Sequence, residues 1–463
     1  MTVTPSFDPE TAAIRFGTGL SPSIAPPGSV AEMMATLRGQ DIMASRFAVP
    51  VFEDILLRLT EVGRLQKIKR RQKGTEAAKA ADKAIRKLKQ GARRDQAEWL
   101  TRVVSRAVFT PDGFRERLTR FWADHFTVEG KQGIMRGVAS TYVEEAIRPN
   151  LTGSFATLIT EAVTHPMMLL YLDQESSAGP GSPFAKRKGR GINENLAREL
   201  LELHSLGVNG GYTQTDVREL AELLTGMSFT RQDGFVFRPE MAEPGAETVL
   251  GASYGGPTPD MGDIRAFLAD LAVKPETADH IAWKLAVHFV SDAPPEDLIT
   301  ALKEVFLASA GDLAAVYETL LSHPSSWRPS DEKVKQPIGF VTSALRALQV
   351  DEYRLDELTP KTAGLYLSLP MRVMGQSWEN PTGPDGWPEE AAAWITPQGV
   401  AGRIQWAMAV PRVLRPKLPD PRQLLTDALG ARATDALRFA AQGAETKWEG
   451  VGLVLASPAF QRR

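Results

Sequence analysis

The chain has 463 residues, 43% of them apolar, and its 54 basic and 56 acidic side chains leave a formal charge of −2. This length suits one large or two ordinary domains, and nine Trp with nineteen Phe exclude disorder of the whole chain, because so much aromatic surface is not left in water. The absence of cysteine excludes disulfides, thiolate metal sites, iron–sulfur clusters and cysteine nucleophiles.

The N-terminal residues lack the basic start and apolar run of a secretory signal. No apolar stretch approaches the roughly 18 residues that a membrane span needs. We therefore expect a cytoplasmic protein without a membrane span.

A basic segment lies at residues 64–95. Between residues 64 and 94 there are thirteen Lys or Arg against two acids. The composition favours helix, and Gly74 and Gly91 predict the turns of a projecting helical hairpin. The segment is either a solvated helix pair or an arm that binds an anionic polymer or an acidic partner. Its lack of interleaved aromatic residues disfavours nucleic acid.

Apolar residues at three- and four-residue spacing dominate the rest of the chain. They predict helices at 52–65, 97–109, 114–127, 138–148, 154–172, 194–206, 214–225, 261–272, 276–290, 296–308, 311–322, 334–349, 397–411, 421–428, 432–441 and 446–456. Strand patterning is confined mainly to 227–251 and predicts one small β-hairpin. The Pro- and Trp-rich stretch 374–397 is predicted to be an ordered loop over a cleft. The predicted fold is all-α, with residues 1–463 forming one large multihelical domain.

The segment 191–207 carries the strongest candidate chemistry. Asn193 predicts a helix N-cap and Gly207 predicts the C-terminal stop. The polar residues on one stripe of this helix are Asn195, Glu199 and Glu202, with Glu194 and Arg198 beside them.

Two interpretations of this stripe stay open. In the first, Glu194, Arg198 and Glu202 form an ion-pair ladder on a solvated face. In the second, Glu199 and Glu202 line a cleft and divide the general acid and general base roles, as glycoside cleavage requires. Glu194 and Arg198 would then orient them, and Asn195 would bind the substrate.

A divalent metal is the one cofactor that these residues suggest. His125, from another helix, could join Glu199 and Glu202 as a ligand in a helical bundle. His125 lies on an aromatic helix face, so a hydrogen-bonded core histidine explains it as well. His204 points away from the acidic stripe and is predicted to be buried and hydrogen-bonded.

Trp378 and Trp387, within the 374–397 loop, are candidates for stacking against a sugar, although packing within the loop explains them equally. The sequence contains no phosphate-binding P-loop, Gly-rich dinucleotide fingerprint, Gly-x-Ser-x-Gly elbow or His-Glu-x-x-His zinc helix. The absence of these motifs disfavours most familiar enzyme classes.

The residues from Asn193 to Gly207, followed by Gly211-Tyr-Thr-Gln and Leu224-Thr-Gly226, closely resemble the signature of the bacterial "domain of unknown function 1800" family. Further landmarks in the family's order are Phe121-Trp122, His125-Phe126-Thr127-Val128, Lys284 with His288, Gly375-Gln376, Gly386-Trp387-Pro388 and Trp394. The resemblance covers almost the whole chain except the basic arm. It implies that many relatives are exported and are encoded beside sulfatase-like proteins, which suggests work on envelope or extracellular polymers.

These observations together predict a carboxylate-dependent hydrolase or lyase that acts on a polysaccharide or envelope glycan. One alternative is a metalloprotein with a Glu/His site in a helical bundle. Another is a non-catalytic binding or assembly module that uses the basic arm.

Overall fold

The computed structural model of the chain describes residues 6–131, 134–329 and 333–463. These residues are predominantly α-helical, as predicted, and their strands form two separate antiparallel pairs. Within these ranges no helix combines the length and the apolar character that crossing a bilayer requires.

Helices of eight or more residues account for most of the structure. In chain order they are α1 (Val30–Arg38), α2 (Phe52–Arg71), α3 (Glu76–Phe109), α4 (Gly113–His125), α5 (Phe155–Thr164), α6 (Asn195–Glu202), α7 (Gln214–Leu223), α8 (Met261–Ala272), α9 (Pro275–Phe289), α10 (Glu296–Ala308), α11 (Leu313–Ser322), α12 (Pro337–Ala347), α13 (Pro397–Ala409), α14 (Pro421–Leu429), α15 (Asp435–Gln442) and α16 (Lys447–Ala456).

Shorter helical turns connect these helices. They are Pro9–Thr11, Ala12–Phe16, Ile42–Arg46, Met135–Gly137, Ala139–Tyr142, Val143–Ile147, Arg148–Asn150, Pro166–Tyr171, Gln174–Ser176, Pro183–Lys188, Pro324–Trp327, Glu352–Asp356, Pro360–Ala363, Gly364–Ser368, Leu369–Val373, Ala391–Trp394, Pro411–Leu414, Gly430–Arg432 and Pro458–Gln461.

Side-chain caps determine where several helices begin. The Asp112 carboxylate accepts a hydrogen bond from the Arg115 backbone N–H at 3.0 Å and starts α4. Asn193 Oδ1 accepts one from the Asn195 N–H at 2.9 Å, but the N-cap of α6 is Glu194, one residue after the predicted position, and the helix ends at Glu202, before the predicted stop at Gly207. Thr213 and Asp216 form a capping box at the start of α7. Each cap satisfies backbone donors that the first helical turn leaves without partners.

Helices α2 and α3 form the predicted basic hairpin. They run antiparallel, and the turn between them contains Gly74 with φ +87°. The predicted turn at Gly91 is wrong, because Gly91 lies inside α3. An interior glycine costs a helix only about 1 kcal/mol, and Leu65 packs against Ala81 and Ile85 in an apolar seam that holds the two helices together.

The strands form two hairpins instead of the single predicted one. Met227–Thr230 (β1) pairs with Gly234–Phe237 (β2), and Gly245–Val249 (β3) pairs with Ala252–Gly256 (β4). The second hairpin extends beyond the predicted segment. Its last strand reads Ala-Ser-Tyr-Gly-Gly and lacks the alternating apolar pattern that identifies a strand in a sequence.

Two large apolar clusters form the core. The first draws its buried residues from positions 12–327, and the second draws them from positions 100–108 and 338–460. Helix α3 joins the two, because Trp99 packs in the first cluster and Leu100 and Val104 pack in the second. The long helix therefore runs from the basic hairpin into the body of the fold.

The 374–397 stretch is an ordered loop, with one short helix at Ala391–Trp394. Trp394 is buried, and its indole N–H donates to the Pro388 carbonyl at 3.0 Å. Glu389, near the end of the loop, accepts from His288 Nδ1 at 2.5 Å and lies 3.4 Å from Lys333 Nζ. These contacts fix the loop against the rest of the fold.

Candidate functional site

The loop covers a partly open cavity of about 160 Å³. Its walls also come from α3, α4, α12 and the helical segment at 139–148. Most of the lining is apolar, but seven charged or ionisable carboxyl and guanidinium side chains reach it: Arg106, Glu116, Arg120, Asp124, Glu144, Arg148 and Glu379. A cavity of this composition suits a small ligand held by a few polar groups.

One face of α4 supplies three of these side chains. Glu116, Arg120 and Asp124 are spaced at i, i+4 and i+8, so they lie above one another on the same helix face, and all three line the cavity. Phe121 and Trp122 lie on the buried side of α4, in the first apolar cluster. The burial of these aromatic rings directs the polar stripe into the cavity.

Two of the three arginines are neutralised within the protein. Arg148 donates from Nη2 to Glu116 at 2.6 Å and from Nε to Asp41 at 2.5 Å. Burial opposes ionisation of Asp41, but Arg148 outweighs it and lowers the pKa of that carboxyl. Arg106 donates from Nη1 to Glu144 at 2.5 Å.

Arg120 differs from these two arginines. Its Nε donates to the Glu116 backbone carbonyl at 3.3 Å, while its Nη2 is shielded from solvent and has no acceptor among the described residues. Burial lowers the pKa of Arg120 to about 10, and the nearby Glu116 charge only partly offsets this effect. Arg120 is therefore a cationic group with unused hydrogen-bond donors.

Asp124 is held at the junction of α4 and the loop. Its Oδ1 accepts a hydrogen bond from the Trp387 backbone N–H at 2.9 Å. Burial raises the pKa of Asp124 to about 8, and the Trp387 N–H only partly opposes this shift. Gly386 has φ +78°, and a Cβ atom there would lie 2.7 Å from Asp124 Oδ1, so the close approach requires glycine.

Glu379 lies on the loop side of the cavity. Its carboxylate accepts hydrogen bonds from Ser140 Oγ and, at 3.5 Å, from Gln96 Nε2. Burial raises the pKa of Glu379 to about 7, against the effect of Ser140. Its backbone has φ +52°, a conformation that costs a non-glycine residue about 1–3 kcal/mol and is concentrated at functional sites.

The two predicted sugar-stacking residues, Trp378 and Trp387, both line this cavity. The Trp378 indole N–H is shielded and has no acceptor among the described residues. Trp387 lies 6.2 Å from Trp394 between ring centroids. The structure thus places both candidate tryptophans beside Asp124 and Glu379.

The predicted acidic stripe on α6 does not line this cavity. Arg198 Nη2 lies 3.2 Å from Glu194 and its Nη1 lies 3.4 Å from Glu202, so the ion-pair ladder is present. Asn195 is exposed. Glu199 is half-buried, and burial, with a contribution from Glu202, raises the pKa of its carboxyl. A catalytic role for Glu199 and Glu202 stays a prediction.

The two motif histidines, His125 and His204, join α4 to the end of the α6 segment. His125 Nε2 contacts the His204 carbonyl at 3.2 Å, and His204 Nδ1 contacts the His125 carbonyl at 3.0 Å. Because a carbonyl only accepts, both ring nitrogens donate. Burial lowers the pKa of both rings, that of His204 to about 3. The predicted buried, hydrogen-bonded His204 is confirmed.

The metal hypothesis required His125, Glu199 and Glu202 to converge. Among the described residues, one group of three carboxylate or imidazole side chains has ligand atoms within 4.8 Å of one another, and it consists of Glu219, Glu222 and Glu247. His125 and the α6 glutamates do not form such a group.

Sequence reasoning did not single out Arg120, Asp124 and Glu379 as one site. A signal was available for two of them, because a charged stripe at i, i+4 and i+8 shares α4 with a buried aromatic face. The spacing alone does not distinguish such a stripe from a solvated helix face. Glu379 carries no periodic signal, since it lies in an irregular loop.

The family resemblance is confirmed. The family model described as "Protein of unknown function (DUF1800)" matches residues 15–462. Searches of the curated proteins and of the solved structures gave no match.

Proposed function

We propose that this chain, which belongs to the DUF1800 family, is a carboxyl-dependent hydrolase or lyase acting on a glycan, with Asp124 and Glu379 as its acid–base pair. One observation carries the proposal: two half-buried carboxyl groups line the same cavity as two tryptophans. Glycoside cleavage needs a proton donor and a proton acceptor, and indole rings bind the apolar faces of sugars.

The protonation states support a division of roles. A group transfers protons efficiently when its pKa lies near the working pH. Asp124, with a pKa of about 8, is mostly protonated at neutral pH and is assigned as the donor to the leaving oxygen. Glu379, with a pKa of about 7, is the acceptor. It takes the proton either from a water molecule, in hydrolysis, or from a carbon of the sugar, in elimination.

The size of the cavity limits the substrate. Its volume of about 160 Å³ is below the roughly 300–1,000 Å³ typical of sites for drug-sized ligands. The reacting part of the substrate is therefore about one sugar ring, with the remainder of a longer chain outside.

The test is product release from a panel of glycans. Asp124→Asn and Glu379→Gln are each expected to lower turnover by about 10²–10⁴-fold while the chain stays folded. Glu199→Gln is the matched control, since Glu199 does not line the cavity. Full activity in the first two variants would refute the proposal. Loss of activity in Glu199→Gln alone would place the chemistry on the α6 stripe.

A second candidate function, binding of an anionic polymer, is supported by the tip of the basic hairpin. A surface groove there is lined by six basic side chains, Lys69, Arg70, Lys73, Lys79, Lys83 and Arg86, and by the acidic Asp82. Asp82 pairs with Lys69 and Arg86, which leaves the groove strongly cationic. Such a surface binds polyanions with an affinity that falls as salt rises.

Charge reversal tests this second function in the intact chain. The double variant Arg70→Glu, Lys83→Glu should weaken binding to a sulfated polysaccharide at least tenfold and reduce its salt dependence. Lys361→Glu, outside the hairpin, is the control. Equal binding by the double variant and the control would exclude the hairpin as the binding surface.

A further inference from the structure

We infer that the cavity recognises a carboxylate group on its ligand through Arg120, so that the substrate is an acidic sugar such as a hexuronate. This inference rests on the proposed function, because it names the substrate class of the same cavity. It follows from the balance of charges and hydrogen-bond donors along the lining.

Two of the three arginines in the cavity lining are already paired with acids of the protein. Of the three arginines that the described lining contains, Arg106 forms an ion pair with Glu144, and Arg148 forms ion pairs with Glu116 and Asp41. These three carboxylates engage both cations within the protein. Neither arginine is available to a ligand without breaking a buried ion pair, which costs several kcal/mol.

Arg120 is not paired with the acids that lie near it on α4. Its one hydrogen bond to a described residue runs at 3.3 Å to the backbone carbonyl of Glu116. The Glu116 carboxylate itself accepts two hydrogen bonds from Arg148, at 2.6 and 3.1 Å. Asp124, one turn further along α4, receives the Trp387 N–H. The neighbouring acids are therefore occupied by other donors.

The described cavity lining contains several hydrogen-bond donors without an acceptor. The Trp378 indole N–H and the Tyr142 hydroxyl also line the cavity, and both lack a hydrogen-bond partner among the described residues, as does Arg120 Nη2. Buried donors without acceptors are unfavourable. A ligand that supplies acceptor oxygens and a negative charge satisfies them, and the planar guanidinium matches a carboxylate in shape.

The chemistry of a bound carboxylate favours elimination over hydrolysis. A guanidinium that neutralises the carboxylate makes the proton on the adjacent ring carbon more acidic. Glu379 takes this proton, the electron pair of the C–H bond forms a C=C bond, and the C–O bond to the neighbouring sugar breaks. Asp124 gives its proton to the leaving oxygen. The step balances without an oxidant, a reductant or a co-reactant.

Binding to three probes of nearly equal size tests the inference on the full chain. Isothermal titration with glucuronate, its neutral amide and glucose is expected to show at least tenfold tighter binding of glucuronate by the unmodified protein. Arg120→Gln should abolish this preference. Arg38→Gln, which changes an exposed arginine, should retain it.

If Arg120→Gln does not fold, the comparison of glucuronate with its amide on the unmodified protein still decides the question. Equal affinity for glucuronate and its amide would overturn the inference. Retention of the preference by a folded Arg120→Gln would overturn it too. Glucuronate binding that depends on Arg120, with no unsaturated product from any uronate polymer, would support the carboxylate site and refute the proposed catalysis, so the two failures are distinguishable.

Discussion

Replacement of Glu379 by glutamine tests whether the cavity holds a carboxyl group whose pKa lies near neutral pH. Glutamine keeps the size of the side chain and one acceptor oxygen but cannot ionise. In the folded protein burial raises the pKa of Glu379 from 4.5 to about 7. The folded state therefore binds its proton more tightly than the unfolded state between these two values.

The contribution of Glu379 to the free energy of unfolding depends on pH. Where the folded state binds more protons, stability falls as pH rises, so the contribution of Glu379 to the stability of the wild type is lost between pH 4.5 and about 7. One pKa unit corresponds to about 1.4 kcal/mol, and the whole shift corresponds to about 3 kcal/mol. Glu379→Gln should match the wild type at low pH and exceed its free energy of unfolding by about 3 kcal/mol above neutrality.

Urea unfolding of both proteins across this pH range is the assay. Glu390→Gln, at an exposed residue of the same loop, is the control and should show no pH-dependent difference from the wild type. A difference between Glu379→Gln and the wild type that does not change with pH would refute the argument, because Glu379 would then ionise as it does in water. The infrared band of protonated carboxyl groups gives an independent check: at pH 6 it should be weaker in the variant than in the wild type, while Asp124, with a pKa of about 8, contributes to it in both proteins.

Three further predictions concern the supports of the site. Arg148→Met should lower the free energy of unfolding by about 3–5 kcal/mol, because the buried Glu116 and the half-buried Asp41 lose their cation. Arg38→Met, at an exposed ion pair, should lower it by less than about 1 kcal/mol, and similar losses in urea unfolding would contradict the buried network. For His204, burial lowers the pKa to about 3, so the unfolded state binds more protons below pH 6.5, and the contribution of this ring to stability falls as pH falls. In His204→Asn that slope should be shallower by about 1 kcal/mol per pH unit, and an unchanged slope in unfolding measured from pH 4 to 7 would exclude the buried neutral ring. Gly386→Ala should lower the free energy of unfolding by about 1–3 kcal/mol and reduce ligand binding, since φ is positive there and the Cβ atom would contact Asp124 of α4. Gly383→Ala should be nearly neutral, because its Cβ atom would contact only the side-chain end of Asp385; equal stabilities of the two variants would show that the loop adapts.

The helices of this fold were predictable because the sequence repeats its apolar residues with the period of a helix. The pattern anticipated α9 and α16 closely. It failed at Gly91, because a local glycine signal was weighed without the buried residues that follow it on α3, Ala92 and Trp99. Seams between helices are tertiary features, and periodicity alone does not show which helix supplies the partner.

The site was less predictable for a related reason. The stripe on α6 and the stripe on α4 have similar spacing, yet Arg198 of α6 lies in a partly exposed ladder and Arg120 of α4 lines a cavity. The two stripes differ because a loop covers α4 and contacts it at Trp387. This loop lies more than 250 positions after α4 in the sequence. The two tryptophans were identified from their chemistry, but the acids beside them could be found only from the folded structure.

The hydrogen bond between Asp124 and Trp387 has a consequence for synthesis on the ribosome. The α4 side of the cavity is translated long before the loop that covers it, so the polar face of α4 stays open while most of the chain is made. Contacts between such distant positions form late, because the intervening chain must first lose its conformational freedom. A nascent chain that ends before residue 374 therefore has no closed cavity, and ligand binding should begin only when translation is nearly complete.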